Sequence, residues 1–354
     1  MADRYWPKAT QGIVLATGAT VLMLAPSCEP SELEWISEVT KLRALAVQAD
    51  PPFVQPGEDL TLRLTYHDGL GATPRPIEVT WVAGCVDPIG DSYLGCYPQL
   101  YYAASKLEEA VALDPFVHQE LVEPARSGEP DGVTFTATVP DWILLSKDED
   151  EPPATSAKLF VFFFLCAGTL GPNPDPDKDS LPVACLDEGG NPLGADSFLP
   201  GFTEVYVYAD DRPNENPPIL GLALDGNELS TSPEEATVVP VCGTSSEEQR
   251  GCAGTPEACL YDLRPLVEDV AEPDPKAGAD TNGREVIWVD LYSDRGRIQK
   301  PQVLVSSALT GYKERHEAQD GWGAPGEPGL VTFWAVVHDN RGGMSVTRRY
   351  LRVE

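Results

Sequence analysis

The chain has 354 residues, with 56 Asp and Glu against 25 Lys and Arg, a formal charge of −31. Such acidity excludes nucleic acid as a partner, because a phosphate backbone is repelled at almost every approach, and it disfavours a peripheral hold on anionic lipid. Apolar residues at 42% suffice to bury real cores, while 31 glycines and 34 prolines point to a loop-heavy, strand-rich chain of two or three domains.

At the N-terminus, Arg4 and Lys8 form a short positive segment, partly offset by Asp3, ahead of the mostly apolar stretch Ile13–Ala25. That stretch is too short to cross ~30 Å of hydrocarbon as a helix and has the flanks of an export signal. It ends Leu24-Ala25-Pro26-Ser27-Cys28, which resembles the bacterial lipobox, where a cysteine after small residues becomes lipidated. Ser27 fits that pattern; Ala25 and Pro26 depart from it. Residues 1–28 are expected to be a lipoprotein signal and Cys28 the acylated anchor. Ordinary cleavage nearby is the alternative, leaving a soluble exported protein. Glu29 is not the aspartate that retains such proteins at the inner membrane, so the resemblance implies the outer membrane or cell surface. Residues 29–38 read as a tether.

No C-x-x-C and no Cys/His cluster suggests zinc. In an exported chain disulfides are the default. Proximity pairs Cys85 with Cys96 and Cys166 with Cys185, each bridge closing a loop. Cys242 ends one apolar run and Cys259 begins the next, so Cys242–Cys259 is preferred with Cys252 unpaired; Cys252–Cys259 is the alternative.

The strands follow in order. Leu42–Ala49 precedes a Pro/Gly turn, and Leu60, Leu62, Leu64 and Tyr66 then alternate with Thr61, Arg63 and Thr65 as a half-buried strand. Ile77, Val79 and Trp81 alternate with Glu78 and Thr80, placing a tryptophan in the third strand, where immunoglobulin-like sandwiches keep one in the core. Residues 97–121 carry a weak helical pattern, read as one short helix inserted in the sandwich. Val133–Val139, the continuously apolar Leu159–Cys166 and the alternating Thr203–Tyr208 complete the first set, with residues 170–200 read as loop.

The Pro-rich stretch Asp210–Pro218 is the expected boundary. Beyond it, Ile219–Leu224 and Ala236–Val241 are early strands, and Val286-Ile287-Trp288-Val289 repeats the third-strand tryptophan. Val303–Val305 is a middle strand. Leu330–Val337 and Met344–Val353 form a terminal hairpin across a turn rich in Asn, Asp and Gly. The expected fold is all-β: two immunoglobulin/PKD-like β-sandwich domains, residues 39–212 with a long, partly helical insertion, and residues 213–354.

The pieces PGEDLTLRLTYHDG, PIEVTWVAGC, FVFFFLCAGTLGP, GFTEVYVYAD and FWAVVHDNRGG resemble uncharacterised myxobacterial-type lipoproteins, in which a lipobox precedes tandem Ig/PKD-like modules. The resemblance covers nearly the whole mature chain. It implies the fold and an envelope location, and no activity.

Candidate chemistry is sparse. Gly90-Asp91-Ser92 resembles the nucleophile block of GDS(L)-type esterases, but Asp114 and His118 have the wrong spacing for its acid–base pair, so a turn is the better reading. His67-Asp68 and His338-Asp339 sit at strand-to-turn junctions, where aspartate commonly caps the turn. Asn173, Asp175, Asp177 and Asp179 put oxygens at every second position, yet lack the Gly and Glu of an EF-hand and read as a solvated loop. Trp322, in a glycine-rich loop, either meets a ligand or plugs the end of a sandwich. No catalytic residue, metal ligand or cofactor is assigned. The expected role is a non-catalytic binding or structural surface component, with other envelope proteins or a surface polymer as partners. A carbohydrate- or polymer-binding accessory module is the alternative, and an esterase-like hydrolase the distant one.

Overall fold

The structure is a computed structural model and describes residues 35–70, 75–86, 93–114, 116–123, 129, 132–145, 152–175, 180–245, 249, 255–274, 276–278, 281–313 and 321–354. Cys28, Ser92, the acidic run 148–151, Asp177, Asp179 and Cys252 lie outside the described residues. The fold is all-β, with strands paired into sandwiches and little helix.

The first half contributes β1 (Leu42–Asp50), β2 (Phe53–Val54), β3 (Asp59–Asp68), β4 (Ile77–Val86), β5 (Val117–Val122) and β6 (Val133–Thr138). It continues with β7 (Ser156–Cys166), β8 (Thr169–Pro172), β9 (Val183–Leu186) and β10 (Phe198–Tyr208). Sheet β1-β3-β6 faces sheet β2-β10-β7-β4-β5, while β8 and β9 form a separate two-stranded ribbon. The alternating Leu60, Leu62, Leu64 and Tyr66 of β3 fill the space between the sheets with Val79 and Trp81 of β4 and Val161, Phe163 and Leu165 of β7. Trp81 is fully buried and stacks on Phe135 at 5.6 Å.

A central strand buried on both faces must be apolar on both, and β7 is. Its even residues Phe160, Phe162 and Phe164 face away from the first core and form a second cluster with Leu100 and Ala103 of helix α1 (Tyr97–Ser105) and with Leu170 and Val183 of the ribbon. Residues 97–121, expected to hold one helix, contain α1, a second short helix α2 (Leu107–Leu113) and β5, and the helical part is small. At Gly84 (φ +91°) the β4–β7 register shifts between Val82 and Cys85, a bulge that glycine permits without Cβ strain.

The second half contributes β11 (Gly221–Leu224), β12 (Asn227–Glu228), β13 (Thr237–Val239), β14 (Leu260–Leu266), β15 (Ile287–Ser293) and β16 (Arg297–Ile298). It ends with β17 (Gln302–Ser307), β18 (Gly311–Tyr312), β19 (Gly321–Gly323), β20 (Gly329–Asp339) and β21 (Met344–Val353). Sheet β12-β11-β14-β19-β16 packs on sheet β13-β21-β20-β15-β17-β18. In each half a short early strand pairs in parallel with the last strand, β2 with β10 and β13 with β21. The three bridges Cys85–Cys96, Cys166–Cys185 and Cys242–Cys259 are present.

The tryptophan correspondence between the halves needs correction. Along β15 the core receives Ile287, Val289 and Leu291, so Trp288 faces outward, half-buried. The core tryptophan of this half is Trp322 on β19, fully buried, with its indole N–H donating to the Arg295 carbonyl at 3.1 Å. Trp322 therefore fills the interior of the second sandwich.

The halves also touch. Val39 and Leu45 pack on Trp334 and Tyr292, and the His67 ring lies 4.8 Å from that of Trp334. Residues 35–38, expected in the tether, lie against the second sandwich, with Glu38 bridged to Ser293 and the Trp35 ring under the Arg297 guanidinium. Arg348 reaches Glu129 at 2.6 Å, and the Asn216 side chain spans the junction by donating to the Ala49 carbonyl and accepting from the Met344 N–H.

Candidate functional site

Where the Pro-rich connector leaves β10 and runs toward the second sandwich, the two halves enclose an open cleft of about 1210 Å³. The first sandwich supplies an aromatic wall. Tyr206 and Tyr208 lie on the same face of β10 with rings nearly parallel, 6.4 Å apart, and Phe53 of the neighbouring β2 meets Tyr208 edge-on at 5.1 Å. The alternation that sends Val205 and Val207 into the core puts these tyrosines on the opposite face, Tyr206 half-buried and Tyr208 buried beneath Arg212. Opposite stands Trp288, stacked on His338 at 5.2 Å, with His338 Nε2 3.2 Å from Asp290.

The floor is charged. Arg341, in the β20–β21 turn, donates to Glu285 at 2.8 Å and Glu272 at 3.4 Å and also reaches the Pro213 carbonyl of the connector. Asp339 is buried; one oxygen accepts the Arg341 and Gly343 N–H groups, both at 2.7 Å, and the other the Asn214 amide at 3.4 Å. Desolvation pushes the Asp339 carboxyl up to about 6. Burial, with the neighbouring Glu285 charge, raises Glu272 as well. Arg212 and Arg341 lie over the rings of Tyr208 and Phe53 at 4.3 and 5.6 Å, so two aromatic faces already carry guanidinium partners. Aromatic surface beside fixed donors and acceptors in a concave site is the composition of a binding pocket.

The pairs singled out in the sequence are structural. Asp68 is held by Arg75 through two contacts of 2.9 Å, and Asp339 caps its turn. His118 and Asp114 line a separate groove beside β5 and β6, and Asp114 spends one oxygen on the Phe116 N–H. Asn173 accepts the Asp175 N–H and donates to the Leu181 carbonyl, tying its own loop together. Among the described residues no group of three or more His, Cys, Asp or Glu is placed to hold a metal ion.

The cleft itself is not legible in the sequence. Its walls come from residues on either side of the connector, and the alternation of Thr203–Tyr208 signals an outward aromatic face without saying what would face it.

No protein-family profile and no curated protein matches the chain. Among solved structures it is similar to native E. coli α2-macroglobulin at 10% identity and a TM-score of 0.21, over 90% of this chain and 17% of that one. It is similar to the D0–D1 domain of intimin at 10% identity and a TM-score of 0.19, over 87% and 98%. The C-terminal domain of Streptococcus pyogenes AspA, of the antigen I/II family, matches at 11% identity and a TM-score of 0.19, over 89% and 100%. The chain thus spans about a sixth of the macroglobulin it matches. The architecture stands on the sheets described above.

Proposed function

We propose that the protein is an exported, lipid-anchored component of the cell envelope that binds its partner without catalysis, and that the cleft between the sandwiches is its ligand surface. The observation that carries this reading is the shared construction of the cleft: an aromatic wall from β2 and β10, Trp288 from β15, and a charged floor tied by Arg341 to the connector. Three disulfides support an oxidising compartment. The lipobox-like ending at Cys28 and the resemblance to tandem Ig/PKD-like lipoproteins support an outer-membrane anchor.

Binding is tested by sedimenting the purified chain with an insoluble envelope polysaccharide fraction. Trp288→Ala is expected to lose retention while lowering the melting temperature by no more than about 4 °C; equal retention would move the ligand surface elsewhere. The anchor is tested by fractionation, where Cys28→Ala is expected to pass from membrane to soluble fraction. Continued membrane association of that variant would rule out lipidation at Cys28 as the anchor.

A further inference from the structure

The aromatic wall of the cleft continues beyond it. On the outward face of β10, Phe202, Glu204 and Tyr206 follow at every second residue, a run of about 14 Å at ~3.4 Å per residue, and Tyr208, buried beneath Arg212, closes its cleft end. Phe202 is 42% exposed and Tyr93 40%, and their rings stack at 5.2 Å beside the helical cover. Phe160 lies beneath Phe202 at 5.8 Å and anchors it to the cluster under the helices. In mid-row Lys158 reaches Glu204 at 3.4 Å and lies over the Tyr206 ring at 5.7 Å. Gly201 makes the placement possible, since a Cβ there would fall 2.2 Å from the Phe163 ring on the core side.

We infer that this row is a linear subsite for an extended neutral polysaccharide, running from Tyr93 and Phe202 into the cleft; the inference rests on the cleft being the ligand surface. The chemistry is that of flat C–H faces of pyranose rings laid on aromatic rings, with the Glu204–Lys158 pair between them to meet hydroxyls. Aromatic side chains offer such contact area at little entropic cost, and Tyr adds a polar tip. The charge of −31 repels polyanionic chains, and the row's own carboxylate, Glu204, is already paired with Lys158 and offers a polycation no matching charge, which favours a neutral chain. An added peptide strand fits less well. The outer edge of β10 is taken by β2 at Tyr206 and Val207, and Pro200 supplies no N–H to a partner strand.

The test is affinity electrophoresis of the full chain in gels containing mixed-linkage β-glucan, xylan or dextran, with polygalacturonate as the anionic control. At least one neutral polymer is expected to retard the wild type more than polygalacturonate does. Phe202→Ala, on the exposed end of the row, is expected to weaken that binding about 10-fold. Trp288→Ala, in the cleft, is expected to weaken it too. Binding of none of the neutral polymers, or stronger binding of the anionic one, overturns the inference. Full binding by Phe202→Ala alongside loss in Trp288→Ala also overturns it and leaves the cleft reading intact. Full binding by both variants removes both.

Discussion

Single residues carry unequal weight here, and burial decides which matter. Trp81 and Trp322 are both fully enclosed, so truncation to alanine is expected to cost about 3–5 kcal/mol each in denaturant unfolding. Trp288 is half-buried on the outward face of β15, and Trp288→Ala is expected to cost about 1 kcal/mol or less while removing the proposed ligand contact. Equal losses at the three sites would contradict the inward and outward assignments. Arg341 is the opposite case, a charge whose removal harms its partner. Glu285 is 2% exposed and receives the guanidinium at 2.8 Å. Arg341→Met strands a buried carboxylate and is expected to cost about 3 kcal/mol, with part of the loss recovered by adding Glu285→Gln. A single substitution without cost would show that water reaches Glu285 freely.

At the scale of elements, the disulfides fasten strand ends to neighbours that backbone pairing leaves weak. Cys166 closes β7 onto Cys185 in the short ribbon strand β9, which pairs with β8 and, through Leu186, with Pro192. Replacing both cysteines by alanine is expected to cost ~2–4 kcal/mol, chiefly through loop entropy regained by the unfolded chain, as unfolding midpoints would measure. A loss confined to the ribbon, with the main transition unmoved, would show that the ribbon folds apart from the sandwich. The strands themselves are legible wherever one face is apolar and the other polar, as in β3, because a period of two sets the phase. Legibility fails where a run is apolar on both faces. Val286-Ile287-Trp288-Val289 gives no phase, and a shift of one residue exchanges core for surface. Phe202 escapes detection for a related reason: Leu199-Pro200-Gly201 interrupts the pattern, so the alternation marks a strand only from Thr203 when β10 begins at Phe198. Trp334 lies in another two-faced run, and its burial under Val39 and Leu45 depends on how the halves meet, which local pattern does not encode.

For the whole molecule, acidity and burial together set the response to pH. Desolvation raises the Asp339 and Asp294 carboxyls to about 6, from an ordinary value near 3.8. A raised acid binds its proton more tightly when folded. Its contribution is therefore full below the unfolded value and is lost as pH rises through about 6. For buried Asp339 that contribution is on the order of 3 kcal/mol, since each tenfold gain in proton affinity is worth ~1.4 kcal/mol. His67 works the other way: burial lowers it to about 4 from 6.5, so its contribution is present above 6.5 and is lost as pH falls toward 4. These two carboxyls, with Glu272 and Glu78 also raised by burial, oppose one imidazole, and acidification also relieves the self-repulsion of a chain carrying −31. Below about pH 4 the balance reverses. Asp68, held below the ordinary range by Arg75 against its own burial, and Asp290, held low by His338 and Gln302 against its burial, must then be protonated. The melting temperature at fixed ionic strength is accordingly expected to be higher at pH 5 than at pH 7.5. Asp339→Asn should flatten that gain and His67→Gln should steepen it. Because the Debye length shrinks from ~30 Å at 0.01 M to ~8 Å at 0.15 M salt, added NaCl should raise the melting temperature more at pH 7.5 than at pH 5. Calorimetry over that grid decides the matter: a melting temperature that falls steadily from pH 7.5 to 5 would mean that the buried carboxyls ionise without penalty and that His67 governs the acid limb.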